Sequence, residues 1–299
     1  MNRRPSAPIA LLAAALLLAS CSSGGTPPGA ATTAGTPGTA SAESTPAPAP
    51  TTAPASPAPV PAPTQLVAVA PATAEEFAAN SGRIYCQTGS KEGCHSYAEM
   101  QSYLGHVLAL VAPVFDEQYG VANRPAALNY VAAGLTGPTA CLKDDGTPDP
   151  YSSQDFSYCT EDRAIYTGQD ALWNLYANIG DAAPAVGYAH EWGHHIQGIM
   201  GVPAPETEEQ NTLLENQADC IAGAWVNHAA TAGLLEYPAD LGDVKTVLAA
   251  IAVDTGEPGA PPAAPDPAAL QERANSLLNG YSSGLQGCNS YFPETPVYK

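Results

Sequence analysis

The stretch His190-Glu191-Trp192-Gly193-His194 constrains the fold of this chain more than any other. Residues four apart lie on one face of a helix, so His190 and His194 can present two imidazoles to a single metal ion. Glu191 lies about 100° further round the same helix, within reach of a water molecule on that ion. Two neutral imidazoles and a carboxylate suit Zn2+ and leave a fourth position for water. The stretch therefore predicts a helix and a second element, packed against it, that supplies the third ligand.

Glu215 and Asp219 are the acidic residues best placed to complete such a site. They are four apart in a predicted helix, so they share a face, and one loop separates that helix from the one that carries His194. Glu215 can act as the third ligand while Asp219 hydrogen-bonds the second nitrogen of a ligand imidazole. A solvated acidic face is the alternative interpretation of these two residues.

The residues after the motif exclude a three-histidine site of the metzincin type. That arrangement places glycine at position 197 and a third histidine at position 200. The sequence has Gln197 and Met200 there. The third ligand must then come from another element, which favours Glu215.

The beginning of the chain indicates export. Arg3 and Arg4 precede an apolar run that is too short to span a bilayer and is typical of a signal peptide. The sequence Leu-Ala-Ser-Cys that ends at Cys21 resembles a bacterial lipobox, which implies removal of residues 1–20 and acylation of Cys21. An ordinary secretory signal with an incidental cysteine is the alternative. The lipobox predicts a lipid anchor on the outer face of a bacterial membrane.

Residues 21–75 consist almost entirely of Ala, Pro, Thr, Ser and Gly. Such a segment has too few large apolar side chains to offset the entropy of ordering its backbone. We therefore expect a disordered, partly extended tether, although a proline-rich ligand for another domain would have a similar composition. Residues 76–299 are long enough for one folded domain with a sizeable core.

The charge of the chain is strongly negative. The formal net charge is -19, and loss of two arginines with the signal peptide would leave 8 basic against 29 acidic residues, or -21. This balance argues against nucleic acid or an anionic headgroup surface as a partner. Solubility alone is a sufficient reason for the acidity.

Six cysteines remain after Cys21, an even number that suggests three disulfides in an exported protein. Six cysteines allow about 15 pairings. Loop length and the predicted elements favour Cys86–Cys94, Cys141–Cys159 and Cys220–Cys288.

Apolar periodicity and capping signals predict the order of the elements. Helices are expected at 96–119, at 171–179, from Asp181 as N-cap to about 198–201, from a Thr207–Gln210 capping box to about 230, and at about 239–253 and 267–281. Strands are expected at 126–131, 156–159 and 163–167.

Two stretches resemble the bacterial neutral zinc metallopeptidases. They are residues 190–197, His-Glu-Trp-Gly-His-His-Ile-Gln, and residues 217–225, Gln-Ala-Asp-Cys-Ile-Ala-Gly-Ala-Trp. Weaker similarity at 158–166 and 279–289 extends the resemblance over most of residues 96–290. The resemblance implies a mostly helical, gluzincin-like α+β domain with a small sheet, and it supports the Cys141–Cys159 and Cys220–Cys288 pairs.

The same resemblance implies roles for the motif residues. One Zn2+ per chain would be held by His190, His194 and Glu215, with Glu191 as general base. Asp219 would hydrogen-bond a ligand imidazole.

The chain departs from this family at one place. Members carry a His-Gly-Ser segment before a Gln-x-Arg stretch, whereas residues 266–269 here are Asp-Pro-Ala-Ala, followed by Gln271-Glu272-Arg273. If that histidine stabilises the oxyanion in relatives, another group has to do so here. The candidates are Tyr166, Tyr188, His228 and Tyr281. His195 is expected to be a packing or hydrogen-bonding residue.

These observations predict a zinc-dependent endopeptidase that acts on peptide or protein substrates and leave the oligomeric state open. The strand around Ile165-Tyr166 is expected to pair with an extended substrate. A zinc-binding envelope lipoprotein that no longer cleaves, serving as a scaffold or binding module, is the first alternative. The intact Glu191 argues against it and the missing downstream histidine argues for it. A solute-binding lipoprotein is the second, but it gives no reason for the metal-binding residues.

Overall fold

A computed structural model describes residues 66–79, 95–143, 146–235, 240, 242, 244, 246–247 and 267–299. All of these belong to one unit of the chain, Pro59–Lys299. The predicted signal peptide, Cys21, most of the tether, the Cys86–Cys94 pair and most of the helix expected at 239–253 lie outside the described residues. Among the described residues, no helix is both long and apolar enough to cross a membrane.

The architecture is α+β, which confirms the expected fold class. The strands are β1 (Leu66–Ala68), β2 (Ala127–Val131), β3 (Thr136–Gly137), β4 (Tyr151–Ser152), β5 (Phe156–Cys159) and β6 (Ala164–Gly168). The helices are α1 (Ala74–Ala79), α2 (Met100–Tyr119), α3 (Gln169–Asn174), α4 (Ala183–Met200), α5 (Glu208–Thr231) and α6 (Pro267–Gly287). A π-helical turn, Leu175–Ile179, continues α3, and a 3-10 turn, Cys288–Ser290, follows α6.

Four strands form one mixed sheet in the order β1-β2-β6-β5. The two central strands, β2 and β6, run parallel, and each edge strand is antiparallel to its neighbour. The other two strands, β3 and β4, form a separate antiparallel pair. Because β5 is an edge strand, one row of its backbone groups is not used within the sheet.

A short strand, β1, lies within the segment 21–75 that was expected to be tether. Leu66 pairs with Val131 in β2, and Ala68 pairs with Asn129. The Leu66 side chain also covers Gly137, where a β-carbon would lie 2.3 Å from Leu66 Cδ2. The apolar residues Leu66 and Val67 distinguish this strand from the linker before it, and its backbone groups pair with those of β2.

The motif helix α4 runs through the core. Most of its residues are buried, on all sides of the helix, and Tyr188 and Ile196 are fully buried. Trp192 stacks on Phe115 of α2 with ring centroids 5.6 Å apart, and Tyr188 meets Phe156 of β5 edge-on at 5.7 Å. A helix that is buried on nearly all sides is stable only inside a protein, so the metal-binding motif is held within the core.

The expected N-cap of α4 is also wrong. Ala182 occupies that position in a right-handed helical conformation, with no side-chain cap bond. Asp181 is buried beside it, 1% exposed. At the other end, Gly201 adopts φ 78° and closes the helix, as the sequence predicted.

The last two helices approach each other closely through two glycines. A β-carbon at Gly280 of α6 would lie 1.7 Å from the carbonyl oxygen of Cys220, and one at Gly223 of α5 would lie 2.0 Å from that of Leu277. The Cys220–Cys288 disulfide joins α5 to the turn after α6. The Cys141–Cys159 bond ties β5 to the loop before β4. Two of the three expected pairs are therefore bonded in the described chain.

Candidate metal centre

The side chains of His190, His194 and Glu215 converge on one point between α4 and α5. The two histidine Nε2 atoms are 3.1 Å apart. Glu215 Oε2 lies 3.2 Å from His190 Nε2, and Glu215 Oε1 lies 3.4 Å from His194 Nε2. Tetrahedral zinc with ligand bonds of about 2.0–2.1 Å separates its ligand atoms by about 3.3 Å. The three donors therefore fit a zinc ion.

A small-residue contact allows the two helices to approach this closely. Gly193, between the two histidines, faces Ala218 of α5, and a β-carbon at Gly193 would lie 3.0 Å from Ala218 Cα. Larger side chains at either position would separate α4 from α5 and carry Glu215 away from the imidazoles.

Each imidazole is oriented by a hydrogen bond at its other nitrogen. His190 Nδ1 is 2.9 Å from Asp219 Oδ1, and His194 Nδ1 is 2.9 Å from Gln197 Oε1. Because both acceptors draw the proton to Nδ1, the Nε2 lone pairs face the common point. Asp219 has the position predicted from the sequence, whereas the bond from Gln197 was not anticipated.

The charges of the site alter the pKa values of its residues. Burial alone would lower the pKa of His190, but hydrogen bonds and charges from Asp219 and Glu215 outweigh it and raise that pKa to about 10. The same competition raises the pKa of His194, chiefly through the charge of Glu215. Burial favours a protonated Glu215, yet the two imidazoles hold the pKa of its carboxyl far below the usual range. Protons and a metal ion would therefore compete for the same nitrogen atoms.

Glu191 lies beside the three donors and is held by the sheet. Its side chain is buried, and Oε2 accepts a hydrogen bond of 2.8 Å from the backbone N–H of Tyr158 in β5. Burial is the main reason that the pKa of Glu191 is raised, against the opposing charges of the two histidines. A carboxylate with a raised pKa is suited to accept and return a proton near neutral pH.

An open cleft of about 840 Å3 gives access to these residues. Its walls are β5, the end of α3 with its π-helical turn, and the loop from Val202 to Pro205, with Leu214 and Glu215 from α5. Catalytic sites commonly occupy concave surfaces of this size.

Comparison with known proteins assigns the chain to a family. A family model described as "Putative neutral zinc metallopeptidase" matches residues 98–259, more than half of the chain. The chain belongs to this family.

The matched relatives are themselves uncharacterized. A protein of Mycobacterium tuberculosis is 33% identical over 84 residues, which cover 25% of this chain and 29% of the relative. YpfJ of Escherichia coli K12 is 31% identical over 105 residues, which cover 30% of this chain and 35% of that protein. The chain thus matches about a third of the length of these curated relatives. No solved structure matches it significantly.

The structure of this neutral zinc metallopeptidase family member adds Arg273, whose role the sequence analysis missed. Its Nε and Nη2 donate to the two oxygens of Asp219 at 2.6 and 3.0 Å, and Nη2 also donates to Glu215 Oε2 at 3.3 Å. The Gln-x-Arg stretch of the family resemblance contained this residue. Its partners could not be identified from the sequence because they lie more than fifty positions away, on another helix.

The four side chains suggested for oxyanion stabilisation do not line the cleft among the described residues. The Tyr166 hydroxyl donates to Asp162 at 2.8 Å, Tyr188 is fully buried, and His228 is exposed near the end of α5. Tyr281 is also absent from the described lining. The expectation that one of these four side chains stabilises the oxyanion is therefore wrong for the described part of the cleft.

His195 is a packing and hydrogen-bonding residue, as the sequence analysis expected. Its Nε2 donates to the backbone carbonyl of Asn123 at 2.7 Å, and its Nδ1 accepts from the Tyr158 hydroxyl at 3.1 Å. The residue is fully buried. His195 therefore links α4 to β5, the edge strand whose Tyr158 N–H binds Glu191.

Proposed function

We propose that this chain is a zinc-dependent endopeptidase in which His190, His194 and Glu215 hold one Zn2+ and Glu191 acts as general base. The observation that carries the proposal is the placement of the buried Glu191 carboxylate beside three converging donor atoms in an open cleft. A purely structural zinc site has four protein ligands and needs no such base.

Zinc bound at these donors would lower the pKa of a water molecule and polarise the carbonyl of the scissile peptide bond. Glu191 then takes the proton of the attacking water and returns it to the leaving amine. The Tyr158 N–H fixes one oxygen of Glu191, so the carboxylate keeps a constant orientation during both transfers.

The edge strand β5 supports recognition of an extended peptide. The sequence analysis assigned this role to Ile165-Tyr166, but both lie in β6, which is paired on both sides. The Tyr158 N–H points away from β6 and towards Glu191. Residues two apart in a strand direct their backbone groups to the same side, so the backbone groups of Phe156 also face the unpaired edge of β5. A substrate strand added there would pass the metal centre.

The charges of the cleft argue against a carboxypeptidase. Its described lining contains no lysine or arginine that could bind a terminal carboxylate. Asp155, Glu191 and Glu215 are its charged side chains, apart from the histidines. These features fit peptide or protein substrates that are not bound by their carboxyl end, and the open shape of the cleft leaves room for an internal segment of a chain.

The location we propose is the outer face of a bacterial membrane, with a lipid anchor at Cys21. The lipobox-like sequence supports this location. The two disulfides support it as well, because such bonds persist mainly in oxidising compartments.

Substitution Glu191→Gln tests the mechanism directly. The variant should bind as much zinc as the wild type but lose hydrolysis of a peptide library by a factor of about 100 or more. A Glu206→Gln variant, altered at an exposed residue, serves as the control and should keep full activity. Cleavage by Glu191→Gln at the wild-type rate would exclude Glu191 as the base.

A non-cleaving zinc lipoprotein is the second candidate. It is favoured by the absence of the four suggested oxyanion-stabilising side chains from the described lining of the cleft. A wild-type protein that binds zinc but cleaves no member of a broad peptide library, with or without chelator, would favour this function over the first.

A further inference from the structure

The C-terminal segment 267–290, which contains α6 and the turn after it, is connected to the metal centre by two routes. One starts at Arg273 in α6, which contacts Asp219, and the other starts at the backbone carbonyl of Cys288, which accepts from Gln217. The segment is fixed to α5 by the Gly223–Gly280 approach and by the Cys220–Cys288 bond. Its position relative to the ligand helix is therefore closely determined.

The first route runs from Arg273 to His190. The guanidinium makes a two-pronged contact with Asp219, whose Oδ1 in turn accepts from His190 Nδ1 at 2.9 Å. Arg273 also contacts the ligand Glu215. Asp219 is 0% exposed and Arg273 is 8% exposed, so this ion pair is shielded from solvent. A planar guanidinium fixes the angle of a carboxylate as well as its distance.

The second route runs from the Cys288 carbonyl to His194. Gln217 Nε2 donates to Cys288 O at 3.0 Å, and Gln217 Oε1 accepts from Gln197 Nε2 at 3.2 Å. Gln197 Oε1 then accepts from His194 Nδ1 at 2.9 Å. Gln217 is completely buried, and burial of an amide is costly unless both of its polar ends are hydrogen-bonded.

The charges of the centre also depend on Arg273. Glu191, Glu215 and Asp219 contribute three negative charges, and one Zn2+ contributes two positive charges. Arg273 supplies the remaining positive charge. Without it, this largely buried cluster, in which Asp219 is fully enclosed, would carry an uncompensated charge even with the metal bound.

We propose that Arg273 and Gln217 are positioning residues of the metal centre, through which the C-terminal segment 267–290 sets the affinity of the centre for zinc. The inference rests on the proposed metal site. Neither residue contacts the metal: Arg273 acts through Asp219 and Glu215, and Gln217 acts through Gln197.

Zinc affinity, measured by competition with a chromophoric chelator on the full domain, tests the Arg273 route. The variant Arg273→Gln should bind zinc about 10–100-fold more weakly than the wild type. Arg273→Lys keeps the charge but not the two-pronged geometry, so its affinity should fall between the two. Arg273→Lys against the wild type measures the effect of geometry alone, and this comparison remains valid even if Arg273→Gln folds poorly.

A double-mutant cycle shows whether Arg273 acts through Asp219. If it does, Arg273→Gln combined with Asp219→Asn should weaken zinc binding by less than the product of the two single effects. Effects that multiply fully would mean that the two residues act independently, which would overturn this route.

Gln217→Met tests the second route, because methionine has a similar volume but makes no amide hydrogen bonds. We expect zinc affinity to fall by less than the roughly tenfold or greater loss typical of groups bonded directly to a ligand, because Gln197 Nε2 keeps its 2.7 Å bond to the Leu214 carbonyl. Ser276→Ala is the matched control, since Ser276 is buried in α6 but its hydroxyl donates only to the carbonyl of Glu272 in the same helix. Its zinc affinity should equal that of the wild type.

Wild-type affinity in both Arg273→Gln and Gln217→Met would overturn the proposal. An equal loss in Ser276→Ala would also overturn it, because any disturbance of α6 would then have the same effect. These outcomes are distinct from failure of the proposed function, in which the wild-type protein itself would bind no zinc, or would bind zinc without cleaving peptides.

Discussion

Gly193 and Ala218 set the distance between the two helices that carry the candidate zinc ligands. A β-carbon at Gly193 would come within 3.0 Å of Ala218 Cα and 3.2 Å of Ala218 Cβ. The helices thus touch at the level of the donor atoms. Because Ala218 meets Gly193 through its backbone, neither helix can move aside without shifting Glu215.

Substitution Gly193→Ala should therefore destabilise the protein. Replacing glycine by alanine inside a helix normally stabilises it by up to about 1 kcal/mol. Here overpacking should prevail and cost about 1–3 kcal/mol, and zinc affinity should fall as well. Urea denaturation and chelator competition measure the two effects.

Gly198→Ala is the control for that substitution. Gly198 lies in the same helix, and the nearest atom to an added β-carbon is the Tyr158 hydroxyl at 3.6 Å, an ordinary contact. This variant should be as stable as the wild type or slightly more stable. Equal destabilisation by both substitutions would show that the contact with Ala218 has no special role.

Gln197 is not a metal ligand, but its hydrogen bond to His194 predicts that its substitution weakens zinc binding. In Gln197→Leu, His194 loses the acceptor that fixes its tautomer, and zinc affinity should fall about 10–100-fold. Gln154→Leu is a matched control, because Gln154 also lines the cleft but donates to Asp170. Chelator competition should show no change in this control. Unchanged affinity in Gln197→Leu would mean that the bond does not orient the imidazole.

Removal of zinc should lower thermal stability. A ligand that binds only the folded state at a concentration about a thousand times its Kd stabilises that state by about 4 kcal/mol. For a domain of this size, roughly 2–4 °C of Tm corresponds to each kcal/mol. Calorimetry with and without chelator should thus show a shift of roughly 8–16 °C. The variant His190→Ala should show a much smaller shift, and an equal one would place the bound metal elsewhere.

The two disulfides should contribute unequally to stability. Their sequence separations are 68 residues for Cys220–Cys288 and 18 for Cys141–Cys159, so chain entropy gives about 4 and about 3 kcal/mol. Replacing each pair by alanines and measuring urea unfolding tests this order. The longer loop should show the larger loss. A larger loss for Cys141–Cys159 would mean that packing around the bonds outweighs chain entropy.

Local sequence patterns predicted most of the elements of the fold. Apolar periodicity identified α2 and α5, and alternating residues beside turn signals identified β2, β5 and β6. The order of the strands was not predictable, because pairing depends on contacts between distant segments. For that reason Ile165-Tyr166 was assigned to substrate binding, whereas the free edge belongs to β5. The contribution of β1 was missed because the linker was expected to continue through Leu66 and Val67, although these apolar residues differ from the Ala, Pro, Thr, Ser and Gly before them.

The sequence by itself determined which side chains could form a metal centre. The helical period places His190 and His194 on one face of a helix, and Glu191 on the same turn, whatever surrounds that helix. It also identified Glu215 and Asp219 as partners, since two acids four apart share a face. Only the tertiary structure decided how these residues meet. The contact of Gly193 with Ala218, the charge from Arg273 and the hydrogen-bond chain through Gln217 all join residues distant in the chain, and such contacts form only when the helices pack.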